Sequence, residues 1–259
     1  MDSVLVARDS DIATVTLSNP EKLNALTRDM WRGVGEAMRE LSADEGLRCV
    51  VLRGAGDQAF AAGADISEFC RERADSAQAQ VYGALVHEAM RAVAECRHPT
   101  LALIRGACIG GGLEIASQCD LRICGESSRF GVPIKNLGLT MSWGELEGLL
   151  ALAGRAGALE LLLEGRVLDA EAALRGGLVN RVVPDDAVEQ EAYATARRIA
   201  EGAPLVARWH KRLVRRLAPH APPLAEAEKN ECYACFDTED YRIGVEAFLA
   251  KRKPEFKGR

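Results

Sequence analysis

The sequence predicts an α/β fold, a core of alternating strands and helices followed by a purely helical C-terminal extension. Three observations carry this. Short apolar runs with β-branched residues, such as residues 49–52 and 100–104, alternate with longer stretches of helical period. Glycine-rich segments follow both of those runs. After Pro204 no strand pattern is left. At 259 residues the chain has room for one such core, placed at 1–198, and a helical region at 199–259.

Taken in order, residues 4–7 and 12–17 read as two short strands around a turn, and Asn19-Pro20 ends the second. Thr27 has the chemistry of an N-cap before Met30, Val34, Met38 and Leu41 at helical spacing. Residues 49–52 form a buried strand, and a glycine-rich loop runs from Gly54 to Asp65. A helix over 77–95 places Val81, Leu85, Met90 and Val93 on one face. Pro99 resets the chain into a strand at 100–104, which leads to Gly110-Gly111-Gly112. A helix from Gly112, a strand at 121–124 and an unpatterned loop over 130–148 come next. Helices at 149–163, 170–174 and 186–201 surround a strand at 178–183.

Bulk properties narrow the function. A formal charge of -5 supplies no basic field for nucleic acid, and no apolar run reaches a membrane span. Eight cysteines in a chain without a signal-peptide pattern read as reduced core residues in a cytoplasmic protein. Cys232 and Cys235 form a CxxC pair with no second pair nearby, which makes a poor metal site, and no metal is expected elsewhere.

Gly54-x-Gly56-x-x-Ala59 follows a strand and formally matches a dinucleotide fingerprint, but Gly63 opposes the helix that fingerprint requires. The triple glycine lacks the third glycine at Ile115. Residues 140–144 miss the first glycine of a serine-hydrolase elbow. What remains is a pair of glycine-rich loops, each at the end of a strand. Two such loops can each aim one backbone N–H at a single oxygen, which makes an oxyanion hole. Glu114 falls in the first turn of the helix that supplies one of them.

The motifs now resemble those of the crotonase, or enoyl-CoA hydratase/isomerase, family along essentially the whole chain. Phe60 to Ile66 is similar to its first signature, and Gly106 to Glu114 followed by Asp120 is similar to its second. Residues 19–26 resemble its coenzyme-A contact loop, residues 161–184 the end of its core, and residues 248–257 its closing segment. The resemblance implies a ββα superhelix core with a C-terminal helical trimerisation region, assembled as a homotrimer or a hexamer of paired trimers. It implies an acyl-CoA thioester as substrate, with coenzyme A carried only as part of it and no permanent cofactor.

Position by position, it implies that the N–H groups of Ala64 and Gly111 polarise the thioester carbonyl, with Gly110 beside them. Lys22, Leu23, Ala64, Asp65, Ile66 and Ser67 would line the coenzyme path, and Phe248 and Lys251 would reach the coenzyme of a neighbouring subunit. Glu114 would be the first catalytic carboxylate. The second departs from the pattern: Phe130-Gly131-Val132-Pro133 is followed by Ile134 where family hydratases carry a carboxylate. Hydration divides its proton transfers between two carboxylates, whereas isomerisation needs one base and decarboxylation needs the hole and an apolar pocket. Substitutes for the missing group are Ser142, His87 and Glu145 or Glu147, with both glutamates expected to face solvent. Besides hydratase or isomerase, a decarboxylase or other lyase and a weakly catalytic coenzyme-A-binding protein stay open.

Overall fold

The computed structural model describes residues 3–217 and 237–259. The CxxC pair at Cys232 and Cys235 lies outside them, as do the side chains of Phe248 and Leu249 in the last helix.

A six-stranded sheet forms the centre, in the order β1 (Ser3–Asp9), β2 (Ile12–Ser18), β3 (Cys49–Gly54), β4 (Thr100–Ile104), β5 (Leu121–Gly125) and β6 (Arg181–Val183). The first pair is an antiparallel hairpin, and every later neighbour is parallel. Parallel strands covered on both faces read as continuous apolar runs, as residues 49–52 and 100–104 do. Alternate side chains go to opposite layers. Val50, Leu52, Ala102 and Ile104 join the main core, while Cys49, Val51, Leu101 and Leu103 meet Val188, Ala192 and Ala196 of α1 (Val188–Ala200).

The main-core face is covered by α2 (Arg28–Ala43) and α3 (Ser76–Glu95), which pack on each other. Thr27 caps α2 as its chemistry predicts, accepting from the Met30 N–H at 3.3 Å, and Met30, Val34, Met38 and Leu41 are all buried. The face of α3 differs from the expected one. Val81 is 63% exposed, and Tyr82, Val86, Ala89, Met90 and Val93 form the buried stripe. Tyr82 wins the inward position because its ring brings more apolar surface to the core than Val81 does.

A second, four-stranded sheet was not legible as strands. It comprises β7 (Ala59–Ala61), β8 (Ala107–Ile109), β9 (Arg129–Gly131) and β10 (Val167–Asp169). Here β7 pairs parallel with β8 and β8 with β9, while β10 runs antiparallel. Ala59 therefore begins a strand rather than a dinucleotide-binding helix. Helix α4 (Gly111–Gln118) follows β8 after Gly110, and α5 (Trp143–Glu164) contains the helix expected at 149–163 but starts earlier, inside the stretch expected to be loop.

α6 (Ala170–Arg175), α8 (Pro204–Arg216) and α9 (Glu239–Leu249) complete the described helices, α7 being the four-residue turn Phe69–Glu72. The helical region docks through Lys211, whose ammonium meets Asp120 at 2.7 Å, and the same carboxylate accepts from the Thr100 N–H at 2.7 Å. One side chain thus ties the end of α4, the start of β4 and α8 together. Among the described residues no helix is long and apolar enough to cross a membrane.

Candidate active site

The site is built where β7 and β8, paired neighbours, both end. Beyond β7 the chain reaches Gly63 and Ala64, and beyond β8 it reaches Gly110 and Gly111. Ala64 forms a parallel bridge with Leu26: the Leu26 N–H donates to Gly63 O at 2.7 Å, and the Asp65 N–H donates to Leu26 O at 2.8 Å. In that geometry the bonds belong to the flanking residues, and no backbone carbonyl among the described residues accepts from the Ala64 N–H.

Gly110 turns the chain with φ 48 and ψ -119, which a side chain opposes, and its N–H donates to Gly131 O at 2.9 Å. Gly111 then starts α4, so its N–H has no partner within the helix and stands at the positive end of the macrodipole. Gly112 is needed for close approach, since a Cβ there would lie 2.3 Å from Ala61 O.

Ala64 and Gly111 both line a cavity of about 300 Å³, together with Gly110, Glu114, Ile66, Ile134 and Glu145. Apolar residues dominate the rest of the wall, with Trp31, Phe69, Pro133, Leu137 and Met141. Glu114 joins this lining from the first turn of α4. Burial in this wall pushes the Glu114 carboxyl up to about 8, the charge of Glu145 adds to the rise, and Arg73 opposes it.

Glu145 corrects an expectation. It is buried, at 8% exposure, and lines the cavity instead of facing solvent; Glu147 is exposed. The physical reason is local. Glu145 lies in the first turn of α5, three residues after Ser142, and its carboxylate folds back to accept the Ser142 N–H at 2.7 Å. The S-x-x-E spacing of a capping box was present in the sequence as the signal.

Ser142 and His87 meet each other rather than this cavity, with His87 Nε2 and Ser142 Oγ 2.5 Å apart. Both line an adjoining cavity of about 560 Å³, and Arg73, Leu139, Thr140 and Glu145 border the two. Arg73 carried no sequence signal. Its guanidinium lies over the Tyr82 ring at 4.1 Å and the Phe69 ring at 4.8 Å.

The rim is tied across by Lys22, which donates to Asp65 Oδ2 at 2.7 Å and to Ser67 Oγ at 3.1 Å. Burial works against ionisation of Asp65, but hydrogen bonds from Lys22 and Ser67 together hold its carboxyl below the ordinary value. Leu23, at φ 52, and Ile66 are exposed beside this bridge. Phe248 lies on α9, and Lys251 is exposed just beyond it. No cluster of three or more metal-ligating side chains occurs among the described residues.

The sequence model described as enoyl-CoA hydratase/isomerase matches residues 7–259. "Probable enoyl-CoA hydratase echA8" of Mycobacterium tuberculosis is 37% identical over 258 residues, covering 98% of each chain. The short-chain-enoyl-CoA hydratase of Clostridium acetobutylicum is 34% identical over 261 residues, covering 100% of this chain and 99% of that one. A crystal structure of an enoyl-CoA hydratase/carnithine racemase from Magnetospirillum magneticum superposes with a TM-score of 0.97 at 49% identity, covering 100% of this chain and 97% of that one. With the fold and nearly the whole length matched in both sequence and structure, this chain belongs to the enoyl-CoA hydratase/isomerase family and is a hydratase/isomerase-type enzyme.

Proposed function

We propose that the protein adds water across the conjugated double bond of an enoyl-CoA thioester, using Glu114 and Glu145 as its two acid–base groups. The observation that carries this is their shared cavity beside the free N–H groups of Ala64 and Gly111. The thioester oxygen accepts from both N–H groups. Glu145 takes a proton from water as the water oxygen bonds to the β-carbon, and the π electrons move to the thioester oxygen as an enolate. Glu114, held protonated near neutral pH by its surroundings, gives its proton to the α-carbon. Transfer of the proton from Glu145 to Glu114 resets the pair. Ile134 then serves as an apolar wall, and the missing carboxylate is supplied from α5.

Coenzyme A enters only as part of the substrate, past Lys22, Leu23, Asp65, Ile66 and Ser67. Phe248 and Lys251 act on the coenzyme bound by a neighbouring subunit of a trimer or hexamer, and the protein works in the cytoplasm. The test follows loss of the conjugated thioester absorbance with crotonyl-CoA. Turnover that falls with either Glu114→Gln or Glu145→Gln supports the reading. Turnover that survives Glu145→Gln assigns the reaction to Glu114 alone, and coenzyme binding without turnover of any enoyl thioester gives the hole to decarboxylation or another lyase reaction.

A further inference from the structure

We propose that Arg73 recognises an anionic acyl terminus, so that the acyl group is that of a short dicarboxylic acid; this rests on the acyl-CoA reading above. Four observations lead there. The acidic neighbours of Arg73 are engaged elsewhere: Glu68 accepts from the Arg28 N–H at 2.8 Å, and Glu72 pairs with Arg28 at 3.0 Å and with Arg71 at 3.2 Å. No carboxylate among the described residues forms an ion pair with Arg73, and its Nε is buried without a hydrogen-bond partner. The flanking rings of Phe69 and Tyr82 fix the guanidinium in place. Finally, Arg73 borders both cavities, at the boundary it shares with Leu139, Thr140 and Glu145.

A guanidinium on an apolar wall loses hydration that only an anion or several acceptors can replace. Neither cavity carboxylate is that anion: Glu145 turns one oxygen back to the Ser142 N–H at the start of its own helix, and Glu114, although Arg73 opposes the rise of its carboxyl, is joined to Arg73 by no ion pair among the described residues. A plain alkyl chain reaching this point would bury the cation against carbon. A carboxylate there would receive charge-assisted, two-pronged hydrogen bonds, and Gln80 in the wall of the next cavity offers a further donor.

Binding of two saturated thioesters that cannot be hydrated, glutaryl-CoA and butyryl-CoA, is measured by calorimetry on the intact protein. Glutaryl-CoA should bind roughly 10- to 100-fold more tightly, the range of a charge-assisted hydrogen bond of about 1.5–3 kcal/mol. Arg73→Gln should collapse that ratio toward unity, and Arg73→Lys should retain part of it. Equal affinities in the wild type, or a ratio unmoved by Arg73→Gln, overturns the assignment of Arg73 and leaves the acyl-CoA reading intact. Failure of both thioesters to bind overturns the acyl-CoA reading and this inference with it. Equal weakening of both by Arg73→Gln and Arg73→Lys also overturns it, giving Arg73 a packing role.

Discussion

Glu114 and Glu145 line the same cavity, each from the first turn of its own helix. The two positions differ in how each carboxyl is treated. Glu145 is anchored by the N–H of Ser142, while Glu114 is placed in a desolvated wall that pushes it up to about 8. Under the proposed reaction these unlike surroundings suit the two groups to separate roles, base and acid.

Glu145→Gln should lower crotonyl-CoA hydration by about 10²- to 10⁴-fold, the usual contribution of a positioned acid–base group. Glu147→Gln is the control, since that side chain is exposed and lines neither the hole nor the shared cavity. Its turnover should stay within about twofold of wild type, as is usual for surface substitutions. Steady-state rates on both variants decide the matter.

In the Glu145→Gln background, Ile134→Glu should recover part of the lost hydration. Ile134 lines the same cavity, so a carboxylate there again faces Glu114 and the bound thioester. A rate no higher than that of Glu145→Gln alone would mean that the wall at Ile134 does not see the reacting carbons.

The raised carboxyl of Glu114 also makes a stability prediction. Its folded value of about 8 exceeds the ordinary 4.5, so the folded state holds more protons than the unfolded one between those values. Stability from this group is therefore complete below the ordinary value and is lost as pH rises through about 8. Glu114→Gln removes the penalty of ionising in the wall. Its melting temperature relative to wild type should rise between pH 5 and pH 9, by an amount on the order of a few kcal/mol in stability. Parallel melting curves across that range would contradict the shift.

Gly112→Ala should destabilise the fold and disable the site together. The new methyl would sit 2.3 Å from Ala61 O, a backbone atom of β7 that cannot rotate away. Relief requires α4 to move off the sheet, at a cost of about 1–3 kcal/mol in the manner of overpacked cores. Chemical denaturation and thioester binding measured on the same variant should both decline.

How much of this was readable in advance varies with the physics of each element. The strands β3 and β4 were legible because burial on both faces leaves an unbroken apolar run. The four strands of the second sheet are three residues each, too short to show alternation, and two of them were hidden in glycine-rich sequence. Ala64 and Gly111, which the structure places on one cavity, could be named from motifs, since bare backbone at strand ends demands glycine nearby. Glu145 was mistaken for a surface residue because hydrophobicity says nothing about a carboxylate that folds back on its own helix start. Arg73 gave no signal, because its role depends on rings and cavities assembled from distant segments.

Because Ala64 and Gly111 follow the ends of hydrogen-bonded neighbours β7 and β8, the main chain brings them together through a β-ladder. That arrangement is a property of the main chain, which point substitutions of most side chains leave alone. The carboxylates and Arg73, in contrast, are carried on α4, α5 and the turn before α3, where single changes can alter them without disturbing the ladder. The site thereby divides into a main-chain part that most side-chain substitutions leave alone and a side-chain part that single substitutions change directly. On the proposed reading, substrate preference can change on this scaffold while the main-chain contacts to the thioester oxygen are retained.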